Sequence, residues 1–289
     1  MRSGGEGSRV KPAAGRVIAL AGVAIALCGC GGTTGGRDAL HRTVAAVAKT
    51  RALPWVRCTL ALEEPDLFGP SITVLGARTA FNLRAGVGYA ALALRKRGGA
   101  SQILYVDLTP AGFLLLPSPP PSGLLPAGKA WISVGLPGSA ANGPLAAQVE
   151  GLGPELPLDE IAWGARSATR VGTRVVGHVP MDEYRVSVDL RRALSAARKA
   201  RRVGIAAAIR DEIRATPSAR VPVTIWVDGP GYVGKVAEAV PGSGLGTASC
   251  AFTNLGRTYT GTRPPSSETV PLASVAPEGH SVWAIATGS

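Results

Sequence analysis

The sequence is poor in the side chains on which most catalysis depends. Its 289 residues include four Cys, three His and two Met, and aromatic residues make up 5%. Four Cys are too few for a disulfide scaffold. His41, His178 and His280 lie far apart in the chain, which leaves little material for a zinc site or a histidine-based triad. No G-x-S-x-G elbow and no H-E-x-x-H motif occurs, so the common hydrolase signatures are missing. No enzymatic activity, cofactor or metal is expected. Charged residues are also scarce at 17%, against 46% hydrophobic, a balance that excludes an intrinsically disordered chain. No apolar run approaches the roughly 20 residues that a membrane-spanning helix needs. What is abundant is Gly (38) and Pro (23), which favours many turns and short strands over a helical bundle. Lys and Arg outnumber Asp and Glu by 31 to 19, a formal charge of +12.

The first residues assign a compartment. Arg2, Arg9, Lys11 and Arg16 precede an 11-residue apolar run, Val17 to Leu27. A basic flank, a short apolar stretch and small residues after it describe a secretory signal peptide. The stretch Leu27-Cys28-Gly29-Cys30 resembles a bacterial lipobox, with Leu three residues before Cys30 and Gly directly before it. That resemblance implies lipidation of Cys30, cleavage after residue 29, and anchoring to the cell membrane on its extracytoplasmic face through several acyl chains of the palmitate kind. The expected organisation is a signal peptide over 1–29, a flexible Gly-rich tether over 30–37 and a single domain over 38–289. Removal of 1–29 takes away four basic residues and one acid and lowers the charge to +9. An exported chain does not meet nucleic acid, so the charge points to anionic lipid headgroups.

Cys58 and Cys250 remain. Each alternates with apolar residues (Leu60 and Leu62; Phe252), so both thiols face the apolar side of a strand. Two residual Cys in an oxidising compartment are a candidate disulfide; two separate buried thiols are the alternative.

A first helix is expected from Asp38 to about Arg51, where Leu40, Val44, Val47 and Ala48 recur at helical spacing and Pro54 stops it. Short strands follow over 55–63, 72–83, 87–95, 103–108, 113–116 and 131–136, separated by turns with no crossover helix between them, so antiparallel pairing is expected. The proline-rich stretch 110–128 reads as a protruding loop or a flap beside a cavity, because Pro does not pair inside a sheet. A short helix is expected over 157–165. Strands are expected over 169–177, 184–189, 221–228, 232–240 and 247–255, with a helical segment over 190–215 that Val203-Gly204 can divide.

The G-x-G-x-x-G at Gly229–Gly234 precedes a strand rather than a helix, which makes it a hairpin turn and not a nucleotide site. Arg191, Arg192, Arg198, Lys199, Arg201 and Arg202 place six cations within twelve residues; they fit either a membrane-facing surface or a solvated helix face. No aromatic residues are interleaved with them, so nucleic-acid binding has no support. Alternating positions supply one apolar face: Leu60, Leu62, Leu92, Leu94, Val186, Val188, Val223, Ile225, Val227 and Phe252. Helices covering this face would make either an ordinary core or an apolar cavity lined by these residues.

Three segments, ATRVGTRVVG (168–177), YRVSVDL (184–190) and VPVTIWVDG (221–229), together with FTNLG (252–256) and Pro264-Pro265, resemble the LolA-like lipoproteins of actinobacteria, the LppX/LprG group. The resemblance implies an α+β fold: a strongly curved antiparallel half-barrel sheet, covered on its concave side by helices. It further implies a non-enzymatic carrier of lipid or lipoglycan. The proline-rich stretch and the Cys58/Cys250 pair depart from the group. A cell-surface sensor or interaction module acting on a membrane protein partner, without lipid transport, is the alternative function.

Overall fold

A computed structural model describes residues 34–61, 64–65, 72–85, 87–96, 101–109, 112–118, 123, 125–135, 153–216, 218–239, 247–253, 255–257 and 264–275. The chain divides into Met1–Gly32 and Thr33–Ser289, and the elements below belong to the second unit. The expected signal peptide, Cys30, Leu62 and His280 lie outside the described residues.

The order is α1 (Thr34–Arg51), β1 (Val56–Ala61), β2 (Glu64–Pro65), β3 (Ile72–Asn82), β4 (Val87–Lys96), β5 (Ser101–Thr109), β6 (Gly112–Ser118), β7 (Trp131–Gly135), α2 (Glu155–Gly164), β8 (Ala165–Val176), β9 (Val179–Asp189), α3 (Leu190–Lys199), α4 (Val203–Ala215), β10 (Arg220–Asp228), β11 (Val233–Ala239), β12 (Thr247–Thr253) and β13 (Thr269–Pro271). This is the expected α+β architecture. One open curved sheet runs β13-β7-β6-β5-β4-β3-β1-β12-β11-β10-β9-β8, with β2 beside β3. All its neighbours are antiparallel except β13, which pairs parallel with β7.

Residues paired across strands share a face, so one inner face can be followed across the whole sheet. Cys58 stands opposite Thr79 and Phe252, and Ala77 opposite Leu92. Leu92 faces Leu104, and Phe113 faces Val134. In the other direction Cys250 meets Val236, Val236 meets Ile225 and Ile225 meets Tyr184. Alternation thus buries one side of most strands, into two clusters, whereas β6 is buried on both sides at Gly112–Leu115 and β8 is largely exposed. The first joins Val56, Cys58, Val186, Val188, Val223, Ile225 and Phe252 with Ala46 and Val47 of α1, Leu158 and Ile161 of α2, Leu190 and Ala193 of α3, and Ile205 and Ile209 of α4. The second joins Leu92, Leu94, Leu104, Val106, Phe113, Leu115, Ile132 and Val134.

Two close approaches fix the geometry. A Cβ on Gly164 would lie 2.8 Å from the Asp189 carbonyl oxygen and from Val188, so only Gly lets the end of α2 meet β9. Gly76, at φ +147°, forms the bulge in β3, where a Cβ would meet the Leu60 carbonyl oxygen at 2.8 Å.

Several expectations are corrected. α1 begins at Thr34, so the expected tether loses residues 34–37 to the helix. The helical segment breaks at Ala200–Arg202, just ahead of Val203, where Arg201 takes a left-handed conformation (φ 57°). The stretch 110–128 is not all loop: Pro117 and Ser118 belong to β6 and pair with Leu104 and Ile103. Pairing of β6 with β7 ends at Leu115, so Pro117 stands at a local edge, where Pro is tolerated.

Candidate functional site

Among the described residues, the centre of the inner face of the helix-covered half is packed, whereas Val227, also expected to line a cavity, borders a cleft at its end. Val186, Val188, Val223, Ile225 and Phe252, expected to line a cavity, are buried against helix side chains. Leu92 and Leu94 belong to the second cluster. The space at the join of the two clusters is a cavity of about 110 Å³ bounded by Cys58, Leu60, Leu156, Pro157, Val236 and Ala248. Ligand sites usually occupy about 300–1,000 Å³.

A larger cavity, about 520 Å³, opens where α1 crosses the end of the sheet. Its floor is apolar, made by Ala46 of α1, Tyr184 of β9 and Val227 of β10, all buried. Its rim is polar: His41, Arg42 and Lys49 of α1, Thr173 of β8, Asp182 of β9 and Asp228 of β10. The sequence builds this cleft by register. Tyr184 stands opposite Ile225 and Val227 opposite Asp182, so the inner-face stripe passes from apolar to polar at the strand ends. Helix α1 is pinned above it. The buried Thr50 hydroxyl donates to the Ala46 carbonyl (2.9 Å) and accepts from the Val233 amide (2.9 Å). Lys49 donates to the Pro230 carbonyl at 2.5 Å and lies over the Tyr232 ring. Asp182 accepts from Arg170 (2.7 Å) and Thr173 (2.9 Å), and the Arg170 hydrogen bond chiefly holds its carboxyl below the usual range. With Asp182 paired to Arg170, Arg42 and Lys49 outnumber Asp228 on the rim and leave it mainly cationic. Asp228 closes the β10–β11 turn, accepting from the Tyr232 amide at 2.7 Å, so the glycine-rich motif there is the expected turn.

The expected cationic surface divides. Arg191, Arg192, Arg198, Lys199 and Arg201 are exposed, opposite the buried Leu190, Ala193 and Ala197. Arg202 is corrected: it turns inward and pairs with Glu155 and, at 3.7 Å, Asp159, whose other oxygen meets Arg51 at 2.7 Å. Burial raises the Asp159 carboxyl above its ordinary range against the opposing pull of Arg51 and Arg202. A cation directly beside buried acids is drawn into the fold rather than left to solvent.

Cys58 and Cys250 are joined in a disulfide, Cα atoms 5.6 Å apart, across the β1–β12 pair. Of the residues not expected, Glu160, Glu212 and Glu238 are the most prominent: their carboxylate oxygens lie within 4.8 Å of one another beneath α2 and α4. The signal was present in the sequence. Glu238 shares the inward parity of Val236, and Glu212 continues the Ile205–Ile209 stripe of α4. On the opposite sheet face, Tyr89 stacks on Tyr105 beside Ala91, Ala93 and the 44%-exposed Ile103, in a groove of about 600 Å³.

Among the described residues no helix is long and apolar enough to cross a membrane. No family model matches the sequence, and no curated protein matches it. Solved structures similar to it include the MucA/MucB complex of Pseudomonas aeruginosa (16% identity, 80% of this chain, 60% of that chain, TM-score 0.32). LprF from Mycobacterium bovis matches at 13% identity over 79% of this chain and 97% of that one, with TM-score 0.47. The lipoprotein LppX of Mycobacterium tuberculosis matches at 11% identity over 78% and 98%, with TM-score 0.46, so the matched structures include members of the group that the sequence resembles.

Proposed function

We propose that the protein is an extracytoplasmic lipoprotein, anchored through Cys30, that binds a lipid or other amphiphile. The observation that carries this is the cleft under α1, which combines an apolar floor (Ala46, Tyr184, Val227) with a polar, mainly cationic rim at about 520 Å³. Such a site takes an apolar chain below and a polar group above, and burial of apolar surface at about 25 cal/mol per Å² supplies the affinity. The filled centre of the helix-covered half argues that a ligand enters at this end of the sheet rather than between Val223 and α2. The exposed cations of α3 support docking on anionic headgroups.

A hydrolytic reading needs titratable groups converging in a substrate-sized cleft. Among the described residues the acidic trio converges, but beside a cavity of only about 110 Å³. An interaction module is favoured by one observation, the Tyr89/Tyr105 groove on the outer face.

Native mass spectrometry of the chain from residue 30, carrying Cys30→Ser, tests the amphiphile reading. Bound lipid is expected, and Ala45→Trp, at an exposed position on the cleft wall, should weaken binding of a fluorescent fatty acid by roughly tenfold or more. No bound lipid and no saturable fatty-acid binding would overturn it.

A further inference from the structure

The acidic trio is built from three elements. Glu160 comes from α2, Glu212 from α4 and Glu238 from the inner face of β11. Glu212 and Glu238 are half-buried, but Glu160 is 1% exposed. Both Glu160 carboxylate oxygens are sealed from solvent, and no donor outside the cluster reaches them among the described residues; one of them lies in the cluster beside the Glu212 carboxyl. An orphaned carboxylate at that depth is costly unless something neutralises it. Arg51 and Arg202 engage Asp159 and Glu155, and Arg214 pairs with Asp211 at 2.8 Å.

We propose that Glu160, Glu212 and Glu238 bind one hard divalent cation, Ca²⁺ above all, that fastens α2 and α4 to β11. The donor set is all oxygen, which suits Ca²⁺, Mg²⁺ or Mn²⁺ and not the softer transition metals. Three carboxylates supply up to six oxygens. Ligands on opposite sides of an ion with bonds of about 2.4 Å stand about 4.8 Å apart, within the flexible geometry of Ca²⁺. The adjoining cavity of about 110 Å³, lined by Glu238, has room for the waters that complete such a shell.

Protons compete for the same oxygens. Burial, then repulsion from Glu238 and Glu212, pushes the Glu160 carboxyl well above its usual range, and burial followed by Glu212 does the same to Glu238. Asp159, adjacent on α2, adds to the repulsion on Glu160. Carboxylates hold a metal ion only when deprotonated, so the ion binds more tightly as pH rises.

The test uses the chain from residue 30 with Cys30→Ser, freed of metal and dialysed against CaCl₂ at pH 5 and pH 8. One ion per chain is expected at pH 8, with at least about tenfold weaker binding at pH 5. Saturating Ca²⁺ should raise the melting temperature at pH 8 by about 5 °C. Glu160→Gln and, separately, Glu238→Gln should abolish both the bound ion and the Ca²⁺-dependent shift while raising the melting temperature of the ion-free protein. No bound ion at millimolar Ca²⁺ and pH 8 overturns the proposal and leaves a proton-sharing cluster. So does an undiminished stoichiometry in both variants.

Discussion

The two halves of the sheet bury the same face by different means. From β8 to β12 the inner face packs on four helices, and ion pairs of Arg51 and Arg202 with Glu155 and Asp159 tie those helices together. From β3 to β7 the inner face is at least as apolar, with Leu92, Leu104, Phe113, Leu115 and Ile132 all 0–1% exposed. Yet the main sheet contacts of the described helices fall on β8 to β11. An alternating strand pattern therefore encodes which side is buried and is silent about what buries it. The carboxylate trio and the α1 cleft both occur in the helix-covered half, where polar residues reach inward between elements of different kinds.

The Cys58–Cys250 bond lies at the seam between the halves, since β1 and β12 are the neighbours through which the N-terminal and C-terminal strands meet. It spans a sequence separation of 192, so its loss releases a large loop-closure entropy in the unfolded chain. The double variant Cys58→Ala/Cys250→Ala should lose about 2–5 kcal/mol, towards the upper end. Chemical denaturation with and without reductant checks this. If the halves owe their coupling to this bond, the variant unfolds in two transitions; one cooperative transition would show that the continuous sheet suffices.

Truncation on each side sharpens the contrast. Ile225→Ala in β10, beneath the helices, should cost about 2–5 kcal/mol, the usual range for removing buried methyl groups from a packed core. Leu104→Ala in β5 faces the second cluster and should cost less if that cluster yields more readily around a cavity. Equal losses, measured by urea denaturation, would mean that both halves are packed to the same density.

This contrast also marks how far the amino-acid pattern was legible. Strand positions follow from alternation: Leu92 and Leu94, or Val223, Ile225 and Val227, leave little freedom, and β3, β4 and β10 fall within two residues of expectation. Breaks set by one residue's backbone were less legible. Arg201 carries a left-handed φ that its side chain does not advertise, and Gly35 and Gly36 join α1 despite their low helix propensity. The site was hidden for another reason. His41, Lys49, Thr173, Asp182 and Asp228 come from α1, β8, β9 and β10, and only the fold unites them. Glu238 was the readable exception, a charge at a strand position of inward parity. Arg202 misled because a run of cations gives no sign that one of its members meets Glu155 and Asp159 across the bundle.

The smallest expected effect on stability concerns the outer surface of the helix-covered half. Arg191, Arg192, Arg198 and Lys199 are exposed along α3, with none of the interior partners that hold Arg202. Replacing all four by Gln should change folding stability by no more than about 0.5 kcal/mol per site. If this face docks on the membrane, the same change should weaken binding of the chain carrying Cys30→Ser to vesicles rich in anionic lipid, since each cation contributes about 1 kcal/mol near such a surface. The wild-type interaction should also fall steeply with salt, because screening at about 0.1 M acts over roughly 10 Å. Vesicle sedimentation measures both. Unchanged binding by the fourfold variant would make the α3 cations a solvated face and shift the membrane contact to the cationic rim of the α1 cleft, where Arg42 and Lys49 are the next positions to neutralise.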